Sequence, residues 1–159
     1  MSHKLYKLLL EDLIRQVEGA FAPGLNTGLL YFSIGNFIVD NENRRHYNRE
    51  LLYRLFRDLQ KHLGERRRMS MPDPSLMRKV ALAYRRAPNQ VHHIALQWLT
   101  WEHHTTLVNK IQDPHEQLFY LDLACRKNWN CREMTYYIEL DLYNKGYSPE
   151  DIYLAVIQQ

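Results

Sequence analysis

An all-α fold of six or seven helices is what this 159-residue sequence predicts, and three features predict it. Apolar residues recur at helical spacing through most of the chain. Capping residues, prolines and glycines fall where those runs should begin and end. The composition, 45% hydrophobic and 12% aromatic with mixed charges, is that of a globular protein and not a disordered one. A chain of this length is expected to form a single domain.

The elements follow in order. Leu5, Leu8, Leu9, Leu13 and Val17 share one face of a helix over 3–20, and Pro23 and Gly24 punctuate its end. In LNTGLLYFSIGNFIVDNENRR, the positions Leu30, Ile34, Phe37 and Ile38 have helical spacing, although β-branched residues and two glycines leave a strand open. The length of the run favours a buried helix, in which Gly35 marks a close helix crossing. Residues 40–45 read as a polar turn. From 47 to 63 the pattern is clean. Leu51, Leu52, Leu55, Phe56, Leu59 and Leu63 fall within about 140° on a helical wheel, and Gly64 sits where a helix C-terminal glycine belongs.

Ser70 or Asp73 can cap the next helix, with Pro72 or Pro74 in its first turn. There Leu76, Met77, Val80, Ala81, Ala83 and Tyr84 share one side, while Ser75, Arg78, Lys79, Arg85 and Arg86 share the other, with Leu82 among them. The stretch 91–111 is helical and carries Trp98 and Trp101. Asp113-Pro114 opens a helix to about Lys127, Asn130 caps another to about Asn144, and Ser148-Pro149 opens a last one to about Ile157.

Charge divides the chain more sharply than composition does. Residues 44–86 carry 13 Lys or Arg against 4 Asp or Glu, a net +9, between flanks of −2 and −4. A cationic segment between acidic flanks points to a polyanionic partner, most commonly nucleic acid. The segment is a helix, a basic connector and a second helix with a one-sided basic face, which is a helix-turn-helix pattern. Arg66, Arg67 and Arg68 would meet phosphates, Ser70 lies beside them, and Ser75, Arg78 and Lys79 lie early enough to reach bases. Arg85 and Arg86 fit phosphate contacts at the helix end. None of these seven cations has an acid on its own helix face. In the first helix the spacings of Glu50–Arg54, Arg54–Asp58 and Asp58–Lys61 instead predict a salt-paired solvent face.

Other chemistries find little support. The pairs His92-His93 and His103-His104 lie outside any zinc motif, and neighbouring histidines on a helix point about 100° apart. No metal and no cofactor is expected. Cys125 and Cys131 lack ligand spacing and read as free thiols of a reducing compartment, the cytoplasm. There is no phosphate-cradling glycine loop, nucleophile elbow or nuclease carboxylate set, so the chain does not read as an enzyme and needs no small-molecule substrate. No apolar run is long enough to span a membrane, and the N-terminus does not read as a signal peptide.

Several stretches together resemble a known family. Asn26 with LLYFSIGNFIV is similar to an Asn…Leu-x-x-Tyr-Trp-x-Ile-Gly-x-x-Ile run, in step at Tyr31, Ile34, Gly35 and Ile38. ELLYRLFRDLQKHL resembles a Leu-Ser-x-Asp-Leu helix through Leu55, Asp58 and Leu59. Ser70, Met77, Arg78 and Tyr84 fit a Phe-Ser-x-x-Asn-Leu-x-x-Met-Arg-x-Phe-Tyr-x-x-Tyr segment. Trp101 and His103 fit a Trp-x-His motif. Asp113, Pro114, Phe119, Tyr120, Trp129 and Arg132 fit an Asp-Pro-Glu-x-Arg-x-Phe-Tyr…Gly-Trp-Ser-x-Arg-x-Leu stretch. Together they resemble, over roughly residues 15–145, the N-terminal domain of the YhcG-like bacterial proteins, where it precedes a PD-(D/E)XK nuclease domain. The resemblance implies a helical domain with a helix-turn-helix role in DNA binding. Met69, Asp73, Pro74 and Val80-Ala81 depart from the pattern around the reading helix, and Asn36 stands where the family often has Arg. The nuclease domain is absent from this sequence, so cleavage does not carry over.

The resulting expectation is a non-enzymatic DNA-binding helix-turn-helix domain, alone or with a separate nuclease or restriction component. The alternative is a protein-interaction module, a homodimer or adaptor, using the aromatic-rich half from 91 onward. Trp98 and Trp101 are expected in the core, which sets that alternative behind.

Overall fold

The computed structural model describes residues 1–21, 26–64, 70–86 and 89–147, and these contain eight α-helices and no strand. The chain divides into two compact units, Met1–Arg85 and Arg86–Gln159.

The first unit begins with α1 (His3–Glu18), whose N-cap Ser2 accepts from the Leu5 amide, and a 3₁₀ turn follows at Gly19–Phe21. α1 buries Tyr6, Leu9, Leu13 and Val17. α2 (Thr27–Asn41) is capped by Asn26 and buries Leu30, Ile34, Phe37 and Ile38, so the helical alternative wins over the strand. Burying each of these large side chains contributes about 2 kcal/mol, enough to offset the weak helix propensity of the two glycines. α3 (Arg49–Leu63) starts at the Asn48 cap and stops at Gly64, which adopts φ +81° as a terminating glycine does. It buries Leu51, Leu52, Leu55, Phe56 and Leu59.

α4 (Pro74–Arg86) buries Met77, Val80, Ala81 and Tyr84. Gly35 is where α2 meets it. A Cβ added to Gly35 would lie 2.2 Å from the Met77 carbonyl oxygen and 3.0 Å from the Ala81 Cβ. The helices approach too closely there for any side chain, as the sequence predicts.

The second unit holds α5 (Gln90–Trp98), α6 (Trp101–Lys110), α7 (Pro114–Lys127) and α8 (Cys131–Glu139). The helical stretch 91–111 divides into two helices. Leu99 is extended, and Thr100 opens a new capping box in which the N3 residue is His103. Asn89 and His92 make the same box at the start of α5. In both, the histidine Nδ1 accepts the N-cap amide, at 3.2 Å from Asn89 and 3.1 Å from Thr100. An imidazole thereby does the work usually done by Glu or Gln, which is why a search for ordinary capping boxes misses the break.

An Nδ1 that accepts leaves the proton of neutral His103 on Nε2, which donates to the Trp129 carbonyl at 2.8 Å. His104 is fully buried with its Nε2 3.1 Å from the Ala95 carbonyl oxygen, and burial depresses its pKa to about 3. His92, His103 and His104 are thus structural, while His93 is exposed. Among the described residues no group of three or more His, Cys, Asp or Glu could hold a metal ion. Leu96, Leu107, Tyr120, Leu121, Leu123 and Met134 form the core, and Trp129 stacks on Tyr137 at 4.2 Å.

Asp113 caps α7 with Pro114 in its first turn, as expected, and Asn128 ends it in the left-handed conformation at φ 53°. α8 stops at Glu139, short of the expected Asn144, and turns follow to Gly146. The helix expected from Ser148 lies outside the described residues. Trp98 corrects another expectation, because it is 75% exposed instead of buried. Cys125 and Cys131 are free thiols. No helix among the described residues is long and apolar enough to cross a membrane.

Candidate nucleic-acid interface

α4 presents the basic side that its periodicity predicts. Ser75, Arg78, Lys79, Arg85 and Arg86 are all exposed, opposite the buried Met77, Val80, Ala81 and Tyr84. Ser70 is exposed in the connector before it. Arg66, Arg67 and Arg68 lie outside the described residues.

Asp73 is the α4 cap, chosen over Ser70. Its Oδ1 accepts from the Ser75 amide at 2.9 Å and from the Ser75 hydroxyl at 2.8 Å. Those two bonds hold the Asp73 carboxyl below the usual range. They also commit the Ser75 hydroxyl hydrogen to the cap, leaving its oxygen as an acceptor only.

Two cations of α4, Arg78 and Arg85, have partners that its own sequence does not contain. Arg78 grips Glu42 with both Nε and Nη2, the latter at 3.0 Å from Oε1. Arg85 meets Asp40 at 2.7 Å. The Arg78 bonds lower the Glu42 carboxyl pKa, and Glu42 in turn raises that of Arg78. Lys79 also interacts with another group. The expectation of seven unpaired cations therefore fails at Arg78 and Arg85. The acids come from the end of α2 and the turn after it, 36 and 45 residues away. The sequence does carry Asp40-x-Glu42, but only the crossing at Gly35 brings that turn to α4.

α3 departs from expectation in the opposite direction. Of its three anticipated ion pairs, only Asp58–Lys61 forms among the described residues, at 3.9 Å. Asp58 takes the hydroxyl of Tyr6 from α1 instead. Burial and that bond push the Tyr6 pKa up to about 12. Arg54 lies over the Tyr6 ring with its guanidinium carbon 4.1 Å from the centroid. Arg49 reaches the Tyr53 hydroxyl at 3.1 Å and lies 5.4 Å from that ring centre. Arg57, and Arg44 and Arg45 in the preceding turn, form no ion pair with the described residues.

Residues 64–73 join α3 to α4, a longer link than the roughly 3–4 residues of a helix-turn-helix turn. The two helix starts lie together: Arg49 and Leu52 of α3 line one open pocket of about 510 Å³ with Pro74, Ser75 and Arg78 of α4. In a short-turn motif, the start of the second helix would follow the end of the first.

Comparison with known families decides the ancestry. The model of the DUF1016 N-terminal domain matches residues 10–145. The chain belongs to the DUF1016 N-terminal domain family. This is the YhcG-like N-terminal domain that the motifs resemble. No curated protein and no solved structure matches the chain. Many of the motif residues of this DUF1016 domain have architectural roles: Asn26 and Asp113 cap helices, Gly35 permits the α2–α4 crossing, and His103 caps α6 and binds the Trp129 carbonyl. Membership in DUF1016 thus accounts for how the chain folds before it says anything of a ligand.

Proposed function

We propose that this chain is a non-enzymatic DNA-binding domain, acting alone or beside a separately encoded nuclease or restriction component. The observation that carries the reading is the net +9 of residues 44–86, within which α4 exposes its basic side. In this reading α3 and α4 act as a helix-turn-helix-like pair with a long connector, and α4 is the helix offered to the major groove. Arg78 and Lys79 approach bases with the Ser75 oxygen, while Ser70, Arg85, Arg86 and Arg66–Arg68 approach phosphates. Arginine suits both tasks because its planar fork can bridge a guanine edge or two phosphate oxygens. Exchange of Glu42 and Asp40 for phosphate is inexpensive, since exposed ion pairs contribute only about 0–1 kcal/mol.

Fluorescence anisotropy with duplex DNA over a salt series tests this. Neutralising about five phosphates gives a log–log slope near −4 to −5. Absence of binding at about 50 mM salt, where electrostatic attraction is strong, would end the proposal.

A second reading has one observation in its favour. Trp98 is 75% exposed and Ile94, one turn earlier on α5, is 37% exposed. These two side chains would anchor a homodimer or adaptor contact. Light scattering should then give a mass that grows with concentration and returns to monomer in Trp98→Ser; a strict monomer at every concentration removes the dimer.

A further inference from the structure

We infer that the outer face of α3, continued by the turn before it, is a contact surface for single-stranded nucleic acid, in which Arg44, Arg45, Arg49, Arg54 and Arg57 meet phosphates and Tyr53 stacks on a base. This rests on the proposal that nucleic acid is the partner, but it assigns a different face and a different strand state.

Availability of charge is the first argument. On α4, Arg78 and Arg85 each already hold a carboxylate, which any phosphate must displace. On α3 the corresponding acids are engaged elsewhere or stand apart. Asp58 is bound by Tyr6 and Lys61, and Glu50 makes no ion pair with the described residues. Tyr6 therefore acts at a distance from the surface: by occupying Asp58 it leaves Arg54 without its expected partner. Arg54 rests on the Tyr6 ring face and holds no carboxylate among the described residues.

Spacing is the second. Arg49, Tyr53 and Arg57 follow one another at four-residue intervals, so they form one stripe with steps of about 6 Å along the helix axis. The two arginines of the stripe thus stand about 12 Å apart, roughly two phosphate steps of an extended single strand, with Tyr53 between them. Lys61 continues the stripe. Arg44 and Arg45 extend the cationic surface beyond the start of α3 and line a cleft with His46.

The third is the aromatic ring. Tyr53 is 42% exposed in the middle of the stripe, with Arg49 beside it. Cations alternating with an exposed ring are what a single strand needs, because its unstacked bases offer π-faces that duplex bases do not. A duplex would gain from the charges but not from the ring.

The experiment uses the full chain and two labelled probes, an oligothymidylate of about 20 nucleotides and a duplex of equal length, which exceed the usual single-strand site sizes. Arg49→Gln with Arg57→Gln is compared with Arg78→Gln with Arg85→Gln, which removes the same charge. The α3 double substitution should weaken oligothymidylate binding about tenfold and reduce the steepness of its salt slope by about 1.4, the share of two phosphate contacts. The α4 pair should change it less than about threefold. Tyr53→Ala should cost about tenfold while Tyr53→Phe, which keeps the ring, stays near the original affinity. All these positions are exposed, and unchanged thermal melts establish that the variants are folded. Equal losses from the two double substitutions, or equal losses from Tyr53→Phe and Tyr53→Ala, would overturn the assignment while leaving nucleic-acid binding intact. Failure of the unsubstituted protein to bind either probe overturns both.

Discussion

The two basic helices of the first unit look alike in sequence and differ in what their cations touch. α4 has no acid among its exposed cations, yet Arg78 and Arg85 are held by Glu42 and Asp40. α3 carries Glu50 and Asp58 at pairing distance in sequence, yet Arg57 has no ion pair among the described residues and Arg54 sits on an aromatic ring. Spacing along one helix sets which pairs are possible. Packing from other helices sets which of them form, because a carboxylate satisfied from outside no longer serves its neighbour.

Acid is the strongest lever on this molecule, and it should loosen the second unit. His104 has a pKa near 3 in the fold against 6.5 for an ordinary histidine, so the unfolded chain binds more protons between those values. Stability is therefore full above about 6.5 and is lost as pH falls toward 3, by as much as about 4–5 kcal/mol. The depressed pKa of buried His92 acts with the same sign. Glu42, held below the usual carboxylate range by its bonds from Arg78, keeps its charge to lower pH than an ordinary glutamate. Urea unfolding followed by tryptophan fluorescence should show the loss as a lower midpoint at pH 4 than at pH 7, since all three Trp lie in the second unit; equal midpoints would contradict it.

Breaking the α2–α4 crossing comes next in size. Gly35→Ala forces a methyl against the Met77 carbonyl, and the strain should cost about 3 kcal/mol in urea unfolding. A loss under about 0.5 kcal/mol would mean that the helices separate at little cost.

Releasing the clamp is a gentler change. Asp40→Asn with Glu42→Gln frees Arg85 and Arg78 and should tighten duplex binding by about fivefold. Glu11→Gln with Glu18→Gln, on the exposed side of α1, changes net charge equally and should do less. Equal gains would reduce the clamp to bulk charge. The smallest expected effect is that of Tyr6→Phe. Losing the hydroxyl returns Asp58 to the reach of Arg54, so oligothymidylate binding should weaken about twofold. No change there would mean that Tyr6 does not keep α3 available.

What the sequence by itself determined is local: the helices of the first unit, the cap at Asp113 in the second, the stop at Gly64, the inward faces and the crossing at Gly35. Each depends on a periodicity or a backbone preference written within a few residues. The break at Leu99 and Thr100 was also local, but its signal was a histidine in a place where Glu or Gln is sought. The exposure of Trp98 depends on what packs against α5, and its spacing from Trp101 carried no information on that. The site was legible only as a list of cations. Which of them are free was decided by the tertiary structure, because Tyr6 and Asp58 lie 52 residues apart and Arg85 and Asp40 lie 45 apart. An ion pair forms between groups that the fold brings within reach, and reach across helices is not encoded in the spacing along one.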